Sequence, residues 1–234
     1  MNKGVQLRKT IHDILFEIHY YNKTLDNILV KYNVYDHNTR DIAFIQNVCL
    51  NSMRYSFHIN KIIKKFVKNK IKKNDKILFY SAITQLVYLN FKEYAVINCS
   101  VEVAKKLNIY PGFINATLKK ISRNKIILSE TKIEFNDLPD WFVNKCSHLT
   151  SVEKNNFLDT FNTEPDLHLV FKNNKYFTDF EENLVATSNL SGFLKEKKRV
   201  DTIKSYKKGN WWVQDFSSSF PLNNVEINLK KKNC

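Results

Sequence analysis

Apolar residues recur at the three-to-four-residue spacing of a helix face throughout the first 128 residues. The first stripe comprises Leu7, Ile11, Ile14, Leu15 and Ile18. Such spacing predicts seven helices, because side chains three and four positions apart lie on one face of a helix. The helix from Lys76 to about Leu89 is apolar nearly all round, so we expect it to be central, with Asp75 as its N-cap. An all-α domain is therefore expected to end near Leu128.

The pattern changes after residue 128, where strand signals become more frequent. Leu138-Pro139-Asp140-Trp141 predicts the start of a helix, and Thr150-Ser151-Val152-Glu153 predicts a capping box. Leu167 to Phe171 predicts a strand, Asp179 to Ser188 a helix, and Trp211 to Phe216 an extended segment. The expected fold class is mainly α, with an all-α domain followed by a small α+β domain.

Glycine is too scarce for a nucleotide-binding loop. The sequence holds Gly4, Gly112, Gly192 and Gly209, whereas average usage of about 7% gives roughly 16 in a chain of this length. A P-loop or Rossmann cradle needs two or three glycines within about eight residues, because the backbone must approach the phosphate closely. The closest two glycines here are 17 positions apart, so the sequence predicts no such cradle.

The excess of basic over acidic side chains is confined to residues 1–128. The formal net charge is +14, and residues 1–128 hold 22 basic and 8 acidic side chains, whereas residues 129–234 hold 15 of each. The 32 lysines and 29 asparagines indicate a compositional bias, but such a bias alone would add lysine to both halves. The uneven placement favours a polyanionic partner, RNA or DNA rather than a membrane surface.

The predicted seventh helix carries the basic residues that are best placed for phosphate. Its polar side and the position after it present Lys119, Lys120, Arg123 and Lys125. We expect Arg8, Lys9 and Arg54 to extend this RNA-binding surface, with lysines acting as point charges on phosphate. The densest lysine run consists of Lys61, Lys64, Lys65, Lys68, Lys70, Lys72 and Lys73. We interpret that run as a solvated helix end and loop, and a secondary RNA contact is the alternative.

No residue pattern indicates a catalytic, metal or cofactor site. His12 and His19 are interpreted as a polar helix face, Cys49 and Cys99 as small buried apolar residues, and Asp215 as a cap. The four cysteines lack paired spacing, which favours reduced thiols of a cytoplasmic protein over a disulfide framework. The longest uncharged stretch, Ile77 to Phe91, is shorter than the ~18 to 20 residues that span a bilayer, so no membrane partner is expected.

The order of several segments resembles a known domain. These segments are L-R-K-T-I-H-D-I-L from Leu7, R-D-I-A-F from Arg40, T-Q-L-V-Y-L from Thr84, Y-A-V-I-N-C-S-V-E-V-A-K from Tyr94 and P-G-F-I-N-A-T-L-K-K-I from Pro111. In this succession they resemble the NusB-like RNA-binding domain. The continuation has L-P-D-W-F-V from Leu138, E-P-D-L-H-L from Glu164 and W-V-Q-D-F-S-S-S from Trp212. The whole succession resembles the Sun/Fmu type of ribosomal RNA cytosine-C5 methyltransferase.

This resemblance implies a NusB-like domain at 1–128, a linking domain at 129–208, and the first strand and turn of a methyltransferase domain at 209–234. The family's glycine-rich S-adenosylmethionine segment and nucleophilic cysteine follow later, so we expect neither within these residues. Trp211, Trp212 and Phe216 would then pack against a missing or separate catalytic domain. Lys92-Glu93-Tyr94 and Val170-Phe171-Lys172 depart from the family pattern, which has Pro and His at the first position and Arg-Val-Asn at the second.

The expected function is that of the RNA-binding portion of a ribosomal RNA methyltransferase, cytoplasmic and without activity as it stands. Ribosomal RNA is the expected partner, bound through the basic helical face. Three alternatives stay open. The chain is a truncated product of a complete S-adenosylmethionine-dependent enzyme, a NusB-like transcription antitermination factor, or a helical protein that binds other proteins.

Overall fold

The computed structural model describes residues 2–161, 163, 165–188, 190–196 and 198–224. The chain divides into two compact units after residue 162. The first unit is helical, and the second contains a small antiparallel sheet with short helices. The mainly α class predicted from the sequence is confirmed. The domain boundaries at residues 128 and 208 stay a prediction, and residues 225–234 of the predicted third segment lie outside the described residues.

The described part of the first unit contains ten α-helices. They are α1 Lys3–Tyr21, α2 Leu25–Lys31, α3 Thr39–Arg54, α4 Ser56–Phe66, α5 Lys73–Ile83, α6 Glu93–Lys106, α7 Pro111–Arg123, α8 Lys125–Ser129, α9 Asp140–Lys145 and α10 Ser151–Phe161. A π-helical segment, Thr84–Tyr88, continues α5. The seven helices predicted before residue 128 are present, and α8 is an eighth that the apolar spacing missed because it is only five residues long.

Helix α5 lies at the centre of the first unit, as its apolar sequence predicts. Ile77 packs with buried residues of α1, α2 and α3, while Phe79 and Ile83 pack with those of α4, α6 and α7. Two hydrophobic clusters therefore meet along this helix. The predicted N-cap is wrong: the helix begins earlier, so that Lys72 occupies the cap position and Asp75 lies in the first turn, where partial burial raises its pKa.

The segment after α8 packs within the first unit. Pro139 is the N-cap of α9, and α10 begins with the predicted capping box. The Thr150 N–H donates to Glu153 Oε2 at 2.8 Å, and the Glu153 N–H donates to Thr150 Oγ1 at 3.3 Å. Phe135, Ile133 and Leu138 form a buried cluster against which Phe57 of α4 packs. Both predicted helix starts are confirmed, because capping depends only on neighbouring residues.

The second unit contains a four-stranded antiparallel sheet in the order β2-β3-β1-β4. The strands are β1 His168–Phe171, β2 Leu184–Ser188, β3 Ser191–Leu194 and β4 Trp211–Val213, and the helices are α11 Asn174–Thr178 and α12 Phe216–Asn224. In register, His168 lies opposite Phe193, and Leu169 opposite Val213. The predicted strand over residues 167–171 is confirmed, and the extended segment from Trp211 is shorter than expected because α12 begins at Phe216.

The helix predicted over Asp179 to Ser188 is wrong. A short helix, α11, precedes that range, and its cap Asn173 accepts a hydrogen bond from the Tyr176 N–H at 3.1 Å. Residues 184–188 instead form β2, in which Val185 and Thr187 are β-branched. Pairing with β3 satisfies the backbone of this segment, so a tertiary contact overrides its weak helical pattern.

Trp211 is buried in the core of the second unit. It is 3% exposed and joins Leu169, Phe171 and Ile203 in a small core. Its indole Nε1–H donates to Ser205 Oγ at 2.7 Å. The expectation that Trp211 packs against a catalytic domain is therefore wrong, whereas Trp212 on the same strand is 44% exposed.

Candidate nucleic-acid interface

Helix α7 has one apolar face and one basic face. Pro111 begins the helix, which suits a ring whose φ is fixed near the helical value and which lacks the N–H. Ile114, Leu118 and Ile121 are fully buried in the first unit. That burial turns the opposite side, with Lys119, Lys120 and Arg123, to solvent. None of these three cations forms a salt bridge with any residue that the structure describes.

Lys125 lies at the start of α8, next to these cations along the chain. Its Nζ donates to Asn90 Oδ1 at 2.7 Å, and Asn90 has a left-handed backbone with φ of 50° just after the π-helical segment. We call Lys119, Lys120, Arg123 and Lys125 the α7 cluster. The hydrogen bond to Asn90 fixes one cation of this cluster, while the other three keep their donors for a ligand.

A shallow groove between α6 and α7 borders the α7 cluster. Lys119 and Asn115 line it from α7, and Glu93, Tyr94 and Asn98 line it from α6. Tyr94 is 79% exposed, and Glu93 places one negative charge beside Lys119. The groove thus offers an aromatic ring and amide side chains next to cations, a combination that suits bases and phosphates of single-stranded nucleic acid.

Arg8 is held by contacts within the first unit. Its Nη1 donates to the Gly4 carbonyl at 3.1 Å, and its guanidinium lies 5.2 Å from the ring centre of Phe44. Burial, opposed by the neighbouring Cys99, lowers the pKa of Arg8. This half-buried cation leaves little of its guanidinium for a phosphate.

Lys9 and Arg54 also have partners in the structure. Lys9 Nζ lies 2.6 Å from Asp13 Oδ2, and Arg54 Nη1 donates to Asn51 Oδ1 at 3.2 Å. Although partial burial opposes it, hydrogen bonds with His12 and Lys9 lower the pKa of Asp13. The structure thus groups four of the seven predicted cations on α7 and α8 and places the other three on α1 and at the end of α3. The seven-residue RNA surface stays a prediction.

Comparison with known proteins places the helical unit in a family. The sequence model of the NusB family matches residues 5–123, more than half of the chain. The chain belongs to the NusB family. No curated protein sequence matches it.

Two solved structures are similar to this NusB-family chain over part of their lengths. One is the complex of antitermination factors NusB and NusE with dsRNA, with 17% identity, 53% of this chain and 98% of that chain covered, and a TM-score of 0.48. The other is PH0851, with 12% identity, 94% of this chain and 55% of that chain covered, and a TM-score of 0.48. The chain thus spans about half the length of PH0851.

The histidines of the NusB-family domain do not form the predicted polar face. His12 is 2% exposed, and its ring nitrogens lie 3.1 Å from Asp13 Oδ1 and 3.2 Å from the Asn74 carbonyl. His19 is half-buried, with its ring against Tyr80. The polar-face interpretation is wrong for His12, because the Asn74 carbonyl of α5 receives its ring inside the unit, and His19 is only half exposed because its ring packs edge-on against the Tyr80 ring of the same helix.

The surroundings of Cys49 and Asp215 match the sequence interpretation, whereas those of Cys99 do not. Cys49 is fully buried as predicted, and burial raises its pKa to about 12, which disfavours the thiolate. Cys99 is only half-buried. Asp215 accepts from the Ser217 N–H at 2.9 Å, which confirms its role as a cap. Among the described residues no cluster of His, Cys, Asp and Glu could hold a metal ion, and no helix is long and apolar enough to cross a membrane.

The lysine run was interpreted from the sequence as solvated, and it is exposed except at its first member. Lys61 forms a salt bridge with Asp137 at 2.7 Å. The remaining six are exposed, and we call them the lysine surface: Lys64, Lys65, Lys68, Lys70, Lys72 and Lys73. They lie at the end of α4, at the start of α5 and in the segment between. The NusB-family domain therefore has a second basic region besides the α7 cluster.

Proposed function

We propose that this NusB-family chain binds RNA through the α7 cluster. The observation that carries the proposal is the exposed row Lys119, Lys120 and Arg123, which forms no salt bridge with a carboxylate of the described residues. A cation without an internal partner can release a counterion from phosphate at no cost in broken salt bridges. The confinement of the net charge of +14 to residues 1–128 supports a polyanion as the partner of this part of the chain.

We further propose that the chain is the RNA-binding part of a ribosomal RNA cytosine-C5 methyltransferase of the Sun/Fmu type. Support comes from two motifs of that resemblance. The segment D-L-H-L contains the start of β1, and W-V-Q-D-F contains the end of β4, which pairs with it. His168 Nδ1 donates to the Gln214 carbonyl at 2.8 Å and joins both motifs. In this proposal the described residues of the chain supply the binding of ribosomal RNA.

The test of RNA binding is the dependence of affinity on salt. The variant Lys119/Lys120/Arg123→Gln removes three charges from the α7 cluster. The plot of log affinity against log salt has a negative slope, and each lost phosphate contact makes it shallower by about 0.7 to 0.9. We therefore expect the magnitude of the slope to decrease by about 2 to 3 in this variant. The control Lys145/Lys172/Lys175→Gln removes three exposed charges outside residues 1–128 and should keep the slope of the unmodified protein.

Equal slopes for the α7 variant, the control and the unmodified protein would overturn the assigned surface. The ribosomal partner is tested separately by comparing a structured fragment of small-subunit ribosomal RNA with an unrelated RNA of equal length. Because phosphate contacts carry no sequence information, only a preference at matched salt supports a specific ribosomal site. Equal affinity for the two RNAs would contradict the ribosomal assignment while leaving RNA binding intact.

A further inference from the structure

Every exposed side chain between residues 64 and 74 is lysine or asparagine. The exposed residues are Lys64, Lys65, Lys68, Asn69, Lys70, Lys72, Lys73 and Asn74. The other residues of this stretch, Phe66, Val67 and Ile71, are partly buried against the core. The lysine surface therefore presents only cations and amides to solvent, with no exposed carboxylate or apolar side chain among them.

The six cations of the lysine surface form no salt bridge within the described part of the chain. Some other lysines of the same unit pair with carboxylates, as in Lys3–Asp41 at 2.6 Å and Lys31–Glu17 at 2.5 Å. Compositional bias explains the number of lysines but not the absence of a salt bridge from six neighbouring cations.

Positive groups face one another around the lysine surface. Burial, and after it the charge of Lys64, lowers the pKa of Lys76 on α5. Burial, and after it the charge of Lys76, lowers the pKa of His19 on α1. Repulsion of this kind is relieved when a polyanion binds.

The start of α5 adds to the positive electrostatic potential of the lysine surface. The helix is 11 residues long, and its cap residue Lys72 makes no side-chain capping hydrogen bond. Its positive dipole end therefore points into the lysine surface, beside Lys72 and Lys73. Asp75 is the one carboxylate in the first turn; partial burial raises its pKa and the charge of Lys72 lowers it, so this carboxylate offsets part of the positive charge.

Helix α8 connects the lysine surface with the α7 cluster. Lys125, which belongs to the α7 cluster, begins α8. Leu128, near the other end of α8, lines a shallow depression together with Lys64, Lys65 and Asp137, the carboxylate that pairs with Lys61. Because α8 has five residues and a helix rises about 1.5 Å per residue, only about 7.5 Å of helix separates the two regions. Both basic regions border one short helix.

We propose that the lysine surface is a second contact for the phosphate backbone of the RNA that the α7 cluster binds, reached across α8. This inference rests on the proposed function. RNA is favoured over an acidic protein because protein interfaces are depleted in lysine and depend on aromatic or apolar anchors, and residues 64–74 expose none. Lysine and asparagine side chains both donate hydrogen bonds to phosphate oxygens.

The test measures the salt dependence of binding to one structured RNA for three triple variants of the full chain. The lysine-surface variant is Lys65/Lys68/Lys72→Gln, and its matched partners are the α7 variant and the control variant defined above. We expect the lysine-surface variant to lower the salt slope by about 2 to 3, as the α7 variant does, and the combined six-residue variant to lower it by about 4 to 6. Far-UV circular dichroism and the urea midpoint establish that each variant is folded.

The outcomes separate the inference from the proposed function. The second contact alone is overturned if the lysine-surface variant keeps the salt slope of the unmodified protein while the α7 variant has a shallower slope. Loss of the slope in the lysine-surface variant alone supports this contact and contradicts the α7 assignment. No binding by the unmodified protein overturns both. Duplex DNA bound with equal affinity, or poly-glutamate that competes as well as RNA at equal charge, overturns RNA as the occupant.

Discussion

A buried hydroxyl pair joins α3 to the centre of the NusB-family domain. Ser52 and Thr84 are both fully buried, and their hydroxyl oxygens lie 2.8 Å apart. The Thr84 hydroxyl donates its hydrogen to the Tyr80 carbonyl at 2.8 Å. Ser52 is therefore the donor to Thr84 Oγ1, because the hydrogen of Thr84 is already engaged. The two hydroxyls therefore have different roles: Ser52 is the donor within the pair, and Thr84 is the acceptor.

Because the roles differ, removing the acceptor and removing the donor should lower the free energy of unfolding by different amounts. Thr84→Val keeps the shape of the side chain but leaves the Ser52 hydroxyl without an acceptor in a buried site, which costs about 1 to 3 kcal/mol. Ser52→Ala removes the donor and leaves only an unfilled lone pair on Thr84, which costs about 0.5 to 1.5 kcal/mol. In the double variant no hydroxyl is orphaned, so its cost should not exceed that of Thr84→Val alone. The expected coupling energy is about 1 kcal/mol.

Urea unfolding followed by far-UV circular dichroism measures these costs, with midpoints compared at a constant m-value. Additive costs to within about 0.3 kcal/mol would refute the assigned direction of the hydrogen bond. The result also bears on the binding surface. Thr84 begins the π-helical segment, and Asn90, which accepts from Lys125 of the α7 cluster, follows the end of that segment.

Two further perturbations test the electrostatics of the first unit and the sheet of the second. Burial, and then the charge of Lys61, lowers the pKa of His58 below its usual 6.5, and the charge of Asp137 opposes this shift. Below about pH 6.5 the unfolded chain therefore binds more protons at this histidine than the folded chain does. The free energy of unfolding should for this reason fall as the pH is lowered from about 7.5 to 5.5. His58→Gln should flatten that fall in urea titrations at both pH values, and an unchanged slope contradicts it. Gly192→Ala would place a Cβ 2.9 Å from the Val185 carbonyl oxygen, so tryptophan fluorescence should report the second unit destabilised by about 1 to 3 kcal/mol, and an unchanged transition speaks against this clash.

Local patterns predicted much of the helical unit. Apolar spacing placed the buried faces of α1, α5 and α7, and the capping box at Thr150 placed the start of α10. Such signals need only residues within a turn or two of each other. The wrong predictions involve partners far along the chain. β2 is a strand because β3 pairs with it, and His12 is buried because the Asn74 carbonyl receives its ring.

The sequence by itself determined which cations of α7 share one face, because the helical period assigns Lys119, Lys120 and Arg123 to the side opposite Ile114 and Leu118. Only the tertiary structure decided which cations stay without a partner. Lys61 and Lys64 are one helical turn apart in the same lysine run, yet Lys61 forms a salt bridge with Asp137 and Lys64 forms none within the described residues. A carboxylate neutralises a lysine when the fold brings it within about 4 Å, and no local spacing encodes that approach.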